Sequence, residues 1–188
     1  MDIDGGNAKQ IVSLSDDTFP QCSPDGRWVV YDSVGSGRWP TLWKAPVGGG
    51  DPVQLNDAFS AHPAISADGR TVACFYAAER GSQQVSPTRI AILPVDGGPA
   101  RRIFDLTNTV FQEAGIRWQP DGSAFTYVDS RDGISNIWSQ PLDGSPARQL
   151  TDFKGDRIFH FDWSSDGNQL VFSRGARTYD VVLIRDLK

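Results

Sequence analysis

Apolar positions along this chain come in short runs, each opened by a polar turn of the same chemistry. Ser23-Pro24-Asp25-Gly26 leads into Trp28-Val29-Val30-Tyr31, and Ser66-Ala67-Asp68-Gly69 leads into Val72 to Tyr76. Gln119-Pro120-Asp121-Gly122 leads into Phe125 to Val128, and Ser164-Ser165-Asp166-Gly167 leads into Leu170-Val171-Phe172. Pro24 has the φ needed at the second position of a type I turn, Asp25 suits the third, and a glycine next can take positive φ and start the returning strand. The runs are nearly continuous rather than alternating, the pattern of a strand covered on both faces. A third set of strands follows at Leu42-Trp43, Ile90 to Leu93, Ile137-Trp138 and Val181 to Ile184. A fourth set is short and more polar, as at an outer edge. No helical period lasts more than a turn or two, and 19 Gly and 12 Pro leave little room for one.

The turn aspartates Asp25, Asp68, Asp121 and Asp166 recur at intervals of 43, 53 and 45 residues. Between them runs a second marker: "DIDGG", "PVGGG", "PVDGG" and "PLDGS". Four-stranded antiparallel units repeating every ~40–50 residues are the blades of a β-propeller. The expected fold is therefore all-β, a partial propeller of about four four-stranded antiparallel blades in a single domain. The units fall at about residues 1–17 (partial), 18–57, 58–106, 107–153 and 154–188. A β-sandwich has no reason to repeat its turns in phase.

The S-P-D-G turn, the apolar strand, the N-I-W of "NIWSQPLDGSPARQLT" and the closing Q-L-T together resemble the WD-like repeat of TolB-type propellers. Similar repeats occur in the propellers of dipeptidyl-peptidase-IV-type and prolyl-oligopeptidase-type enzymes. The ending "SRGARTYDVVLIRDLK" resembles the C-terminus of bacterial proteins in which a Ser/Thr kinase domain precedes such a propeller. The resemblance implies a non-catalytic protein- or peptide-interaction or sensor module, part of a larger bacterial protein and periplasmic or otherwise extracytoplasmic. The alternative it implies is an accessory, substrate-filtering propeller of a serine peptidase. TolB-type rings usually have more blades than the four turns seen here. Either "GNAKQIV" supplies the outer strand of the last blade and closes a small ring, or the chain is a piece of a longer propeller; the second reading is favoured.

Composition narrows the chemistry. With 39% hydrophobic and 22% charged residues the 188-residue chain is an ordinary globular one, and its formal net charge of -5 does not suit nucleic acid. No apolar run reaches the length needed to cross a bilayer, and "MDIDGGNAKQ" lacks the pattern of a signal peptide. Cys22 and Cys74 are expected as two buried thiols. There is no G-x-S-x-G elbow, no phosphate-binding loop and no kinase signature, so neither a catalytic residue nor a cofactor is expected. The aspartates are turn residues without calcium-loop spacing, so no metal site is expected.

His62 and His160 both stand four residues before a turn, at equivalent places near the channel mouth. They are read first as solvated or capping, and second as ligand-binding. Arg117 and Asp162, on successive inner strands, are expected to form an ion pair between blades. The loops between second and third strands carry Asp32, Arg38 and Trp39, then Glu79 and Arg80, then Arg131 and Asp132, then Arg174 and Arg177. Loops on one face are where repeat proteins bind. The candidate partner-binding residues are therefore Arg38, Trp39, His62, Arg80, Arg131, His160 and Arg174.

Overall fold

A computed structural model describes residues 6–12, 16–35, 37, 39–77, 89–107, 109–110 and 112–176. The first sheet contains β1 (Asp17–Cys22), β2 (Trp28–Ser33), β3 (Thr41–Pro46) and β4 (Val53–Gln54), in that order. The second contains β5 (Phe59–Ile65), β6 (Thr71–Ala77), β7 (Arg89–Pro94) and β8 (Arg102–Asp105). The third contains β9 (Arg117–Trp118), β10 (Ala124–Arg131), β11 (Ile134–Pro141) and β12 (Arg148–Gln149). The last pairs β13 (Arg157–Trp163) with β14 (Leu170–Gly175). The strand predicted over 181–184 lies outside the described residues. Every pairing is antiparallel between chain neighbours, which makes each sheet a blade.

The turns form as their residues dictate. In each, the glycine N–H donates to the carbonyl three residues back, at 2.8–2.9 Å, and the glycine φ lies between 68° and 73°. A side chain at that φ would be strained, so only glycine serves. In three of the four turns the aspartate accepts the hydroxyl proton of the first-position serine: Ser23, Ser66 and Ser164, each at 2.6 Å. It also accepts the amide two residues on. Adjacent turns nest. A Cβ on Gly69 would lie 3.4 Å from Pro24 of the preceding turn, and one on Gly167 would lie 2.9 Å from Pro120.

The core is divided among the blade interfaces. Val30 and Leu42 of the first blade meet Val72, Cys74, Ala91 and Leu93 of the second. Ala73, Phe75, Ile90 and Ile92 on the other face of the second blade meet Ile116, Phe125 and Tyr127 of the third. Val128 and Ile137 of the third meet Ile158 and Phe161 of the last. Cross-strand pairing explains the sorting, because directly paired residues share a face: Val72 with Leu93, Ala73 with Ile92, Cys74 with Ala91. Two indoles stitch blades together. Trp118 Nε1 donates to the Ala64 carbonyl of the preceding blade at 2.8 Å, and Trp163 Nε1 donates to Thr126 Oγ1 at 3.2 Å.

Two expectations need correction, and the less favoured reading of "GNAKQIV", as an outer strand, is not what the described residues show. The described part of "GNAKQIV" forms no strand and joins no sheet. It lies against the first blade, where Lys9 Nζ donates to the Gly48 carbonyl at 2.8 Å and Ile11 and Val12 face Val29 and Tyr31 across a cavity. Cys22 is exposed and only Cys74 is buried; both are free. Cys22 ends β1, the inner strand of the first blade, most of whose residues are exposed, whereas Cys74 is enclosed between two blades. Asp32 is not a loop residue: it is the last residue but one of β2 and is 2% exposed.

Candidate functional site

In the first, second and last blades the register places the start of the inner strand beside the end of the strand that follows it, at the end of the blade opposite the Asp-Gly turns. Asp17 pairs with Ser33, Phe59 with Ala77, and Arg157 with Gly175. This end carries the candidate residues. Near it the inner strands bulge. One extra residue is accommodated between Thr18 and Gln21, another between Ala61 and Ala64, and another between Ile158 and His160. Phe19 and His62 adopt φ of 50° and 53° there. In the third blade the corresponding place is Gly115, at φ 74°, and the bulge has grown into a 3-10 turn over Gln112–Ala114.

Positive φ in a non-glycine residue costs about 1–2 kcal/mol and must be held by its surroundings. The holding group at His62 is Asp32 of the preceding blade. Its Oδ2 accepts the His62 backbone amide at 2.9 Å, and its Oδ1 accepts the Thr18 hydroxyl at 2.5 Å. The His62 ring stacks on Phe19, with centroids 3.7 Å apart, and meets Phe75 edge-on at 5.7 Å. Nδ1 is buried without a hydrogen-bond partner. Burial lowers the His62 pKa below its ordinary value, outweighing the opposite pull of Asp32 and then Glu113. His62 is thus a neutral packing ring, not the solvated or capping residue its sequence suggests. Asp32 holds the amide and not the ring, and among the described residues no hydrogen bond to Nδ1 orients the imidazole as a base. His160, at the equivalent place, is exposed.

Arg131, Arg174 and Arg117 each meet a carboxylate and an aromatic face. Arg131 Nη2 lies 2.9 Å from the buried Asp129 carboxylate, and its guanidinium covers Trp138 at 5.2 Å. Arg174 lies 3.3 Å from Asp156 and 4.3 Å from the centre of Phe153. Arg117 meets Asp162 across the blade boundary at 3.4 Å, as expected, but the two side chains are 31% and 69% exposed. The pair is therefore a surface bridge worth at most about 1 kcal/mol. Trp39 is half-buried. Arg38, Arg80, Glu79 and Arg177 lie outside the described residues.

The structure brings His62 together with Phe19, Phe75 and Asp32; of the other described candidates, Trp39 belongs to the first blade, Arg131 to the third, and His160 and Arg174 to the last. Phe19 went unnoticed in the sequence, yet the signal was there: it stands four residues before Ser23, as His62 does before Ser66. Among the described residues no group of three His, Cys, Asp or Glu is placed to hold a metal, and no helix is long and apolar enough to cross a membrane.

TolB from Acinetobacter baumannii superposes on 90% of this chain with a TM-score of 0.68 at 22% identity. The fold is that of the TolB-type propeller. A prolyl endopeptidase also matches this TolB-like propeller, over 86% of the chain with a TM-score of 0.59 and 16% identity. In sequence, an uncharacterized protein of Agrobacterium fabrum is 28% identical over 133 residues, 68% of the chain. No protein-family model matches. The chain spans 41% of that TolB, 26% of the endopeptidase and 45% of the Agrobacterium protein.

Proposed function

We propose that this TolB-like propeller is a non-catalytic interaction module that receives a protein or peptide partner at the blade end carrying His62 and His160. One observation supports this reading above the rest. At that end, exposed Phe19 stacks on His62, and the neighbouring blades add Arg131 over Trp138 and the exposed His160. Exposed aromatic surface beside arginine is the composition of binding hot spots. The one carboxylate bonded at His62 holds its backbone, so the site is built to present a surface and not to move a proton. An extracytoplasmic setting, and the absence of nucleic-acid partners, belong to the same reading and rest on the repeat resemblance and the acidic balance.

The test is selection of peptides from a random displayed library, followed by NMR mapping. Peptides that shift amides at residues 17–20, 60–63 and 130–135, and bind about tenfold more weakly to Phe19→Ala or Arg131→Ala, would support the proposal. Selected peptides that map to the Asp-Gly turn end would refute it. The likeness to a prolyl endopeptidase favours one second reading, an accessory propeller that filters substrate for a peptidase domain. A parent chain carrying an α/β-hydrolase domain would decide for that reading.

A further inference from the structure

Among the described residues four buried side-chain polar atoms have no hydrogen-bond partner, and two of them lie together at the back of the first blade. There Lys9, Ile11 and Val12 help to line a half-open cavity of about 320 Å³. Ile11, Val12, Pro20 and Val29 supply its apolar lining, together with Thr18. Two polar atoms on its lining are buried and have no hydrogen-bond partner: Tyr31 Oη and Asp17 Oδ1. Tyr31 as a whole is only 2% exposed. Its phenol is pushed up to about 12, first by burial and then by the Asp17 carboxylate nearby. It is therefore neutral at any ordinary pH, able to donate one hydrogen bond and to accept others.

A buried hydroxyl left unpaired costs about 1–3 kcal/mol, and a carboxylate oxygen costs more. Native interiors seldom leave two such atoms side by side without an occupant. The obvious internal cation does not serve: the Lys9 ammonium, on the same wall, is committed to the Gly48 carbonyl. What remains is a space with aliphatic walls, an unmatched carboxylate oxygen and a phenol at one end.

We propose that this cavity is a binding site for a primary ammonium group carried on a short branched aliphatic chain. The ammonium has three donors, enough to reach Asp17 Oδ1 and Tyr31 Oη together, and its positive charge answers the carboxylate. The aliphatic body replaces the missing packing between Ile11, Val12 and Val29. A free small amine and the amino terminus of a peptide beginning with Leu or Val share this chemistry. The site lies on the outer face of the first blade, and it does not depend on the interaction surface proposed above.

The experiment uses the whole chain at pH 7 and 3-methylbutylamine as the probe, followed by two-dimensional amide NMR. 3-Methylbutanol serves as the neutral isostere. The expected result is a saturable shift confined to residues 9–12, 17–20 and 29–31, with the alcohol binding about tenfold more weakly, as loss of one charge-assisted bond implies. Leu-Gly-Gly binding where N-acetyl-Leu-Gly-Gly does not would assign the site to peptide amino termini; binding of the free amine alone would assign it to small amines. Two variants separate binding from folding. Tyr31→Phe removes an unpaired hydroxyl, so the free protein should be at least as stable as wild type while its affinity for the amine falls. Asp17→Asn should lose the preference for amine over alcohol. No saturable shift, equal binding of the alcohol, shifts mapped elsewhere, or unchanged affinity in Tyr31→Phe would each overturn the proposal, leaving the cavity to a trapped water.

Discussion

Val30 and Val171 occupy the same place in the repeat, four residues after the turn glycine, but not the same surroundings. Val30 is 0% exposed, as are Ala73 and Thr126 at the equivalent places, whereas Val171 is 64% exposed. If blades owe their stability to their neighbours, one substitution should have two different costs. Val→Ala removes two methyl groups. At about 0.8 kcal/mol for each buried carbon, plus about 24 cal/mol per Å³ of residual cavity, Val30→Ala should cost about 2–3 kcal/mol. Val171→Ala takes away atoms already in water and should change stability by less than about 0.5 kcal/mol. For a chain of this size the first corresponds to a fall in Tm of about 5–10 °C and the second to about 1 °C. Thermal unfolding followed by circular dichroism, with urea titration for the free energies, measures both. Equal costs would refute the reasoning: a large loss at Val171 means that face is covered in solution, and a small loss at Val30 means the first interface does not hold the fold together.

Trp118→Phe keeps an aromatic ring in place but deletes the indole bond to the Ala64 carbonyl, so urea unfolding should show a loss of about 1–2 kcal/mol. The pH dependence has two parts. His62 has a folded pKa below its unfolded one, so stability should begin to fall as pH drops below the ordinary histidine value of about 6.5; His62→Phe, the residue that blade one already uses in this place, should abolish that step in a pH series of unfolding curves. Asp25 is held at about 2, chiefly by the Ser23 hydroxyl and then by Arg27, so its contribution is present above the unfolded carboxylate range and is lost as pH falls from about 4 toward 2; Ser23→Ala should weaken that acid transition. Cys22 should react with a thiol reagent in the native protein, while Cys74, enclosed and with its thiol pKa raised by burial, should react only on unfolding; fast labelling of both would show that the second blade opens readily.

The blades were legible because their instructions are local. A turn glycine at positive φ and an aspartate that caps its own turn act within five residues, and the same letters in four places write the same hairpin. The site was only partly legible. His62 and His160 are equivalent in sequence, yet one is packed between phenylalanines and the other is exposed. The difference comes from the bulge φ and from what the neighbouring blade offers. Arg117 and Asp162 could be paired from their repeat positions, but their exposure could not, because it depends on how the inner strands splay at the channel. Asp32 read as a loop charge since its letters sit beside a glycine-rich stretch. Only the sheet register shows it reaching across to the next blade.

By itself, then, the sequence determined the hairpins, the number of repeats and the all-β class, since these rest on backbone preferences and short-range hydrogen bonds that travel with each copy. Tertiary structure alone decided which copy of a repeated residue is buried, which carboxylate crosses a blade boundary, and where Lys9 to Val12 come to rest. Those outcomes depend on the neighbour each face meets, and a repeat writes the same face whether or not a neighbour is present.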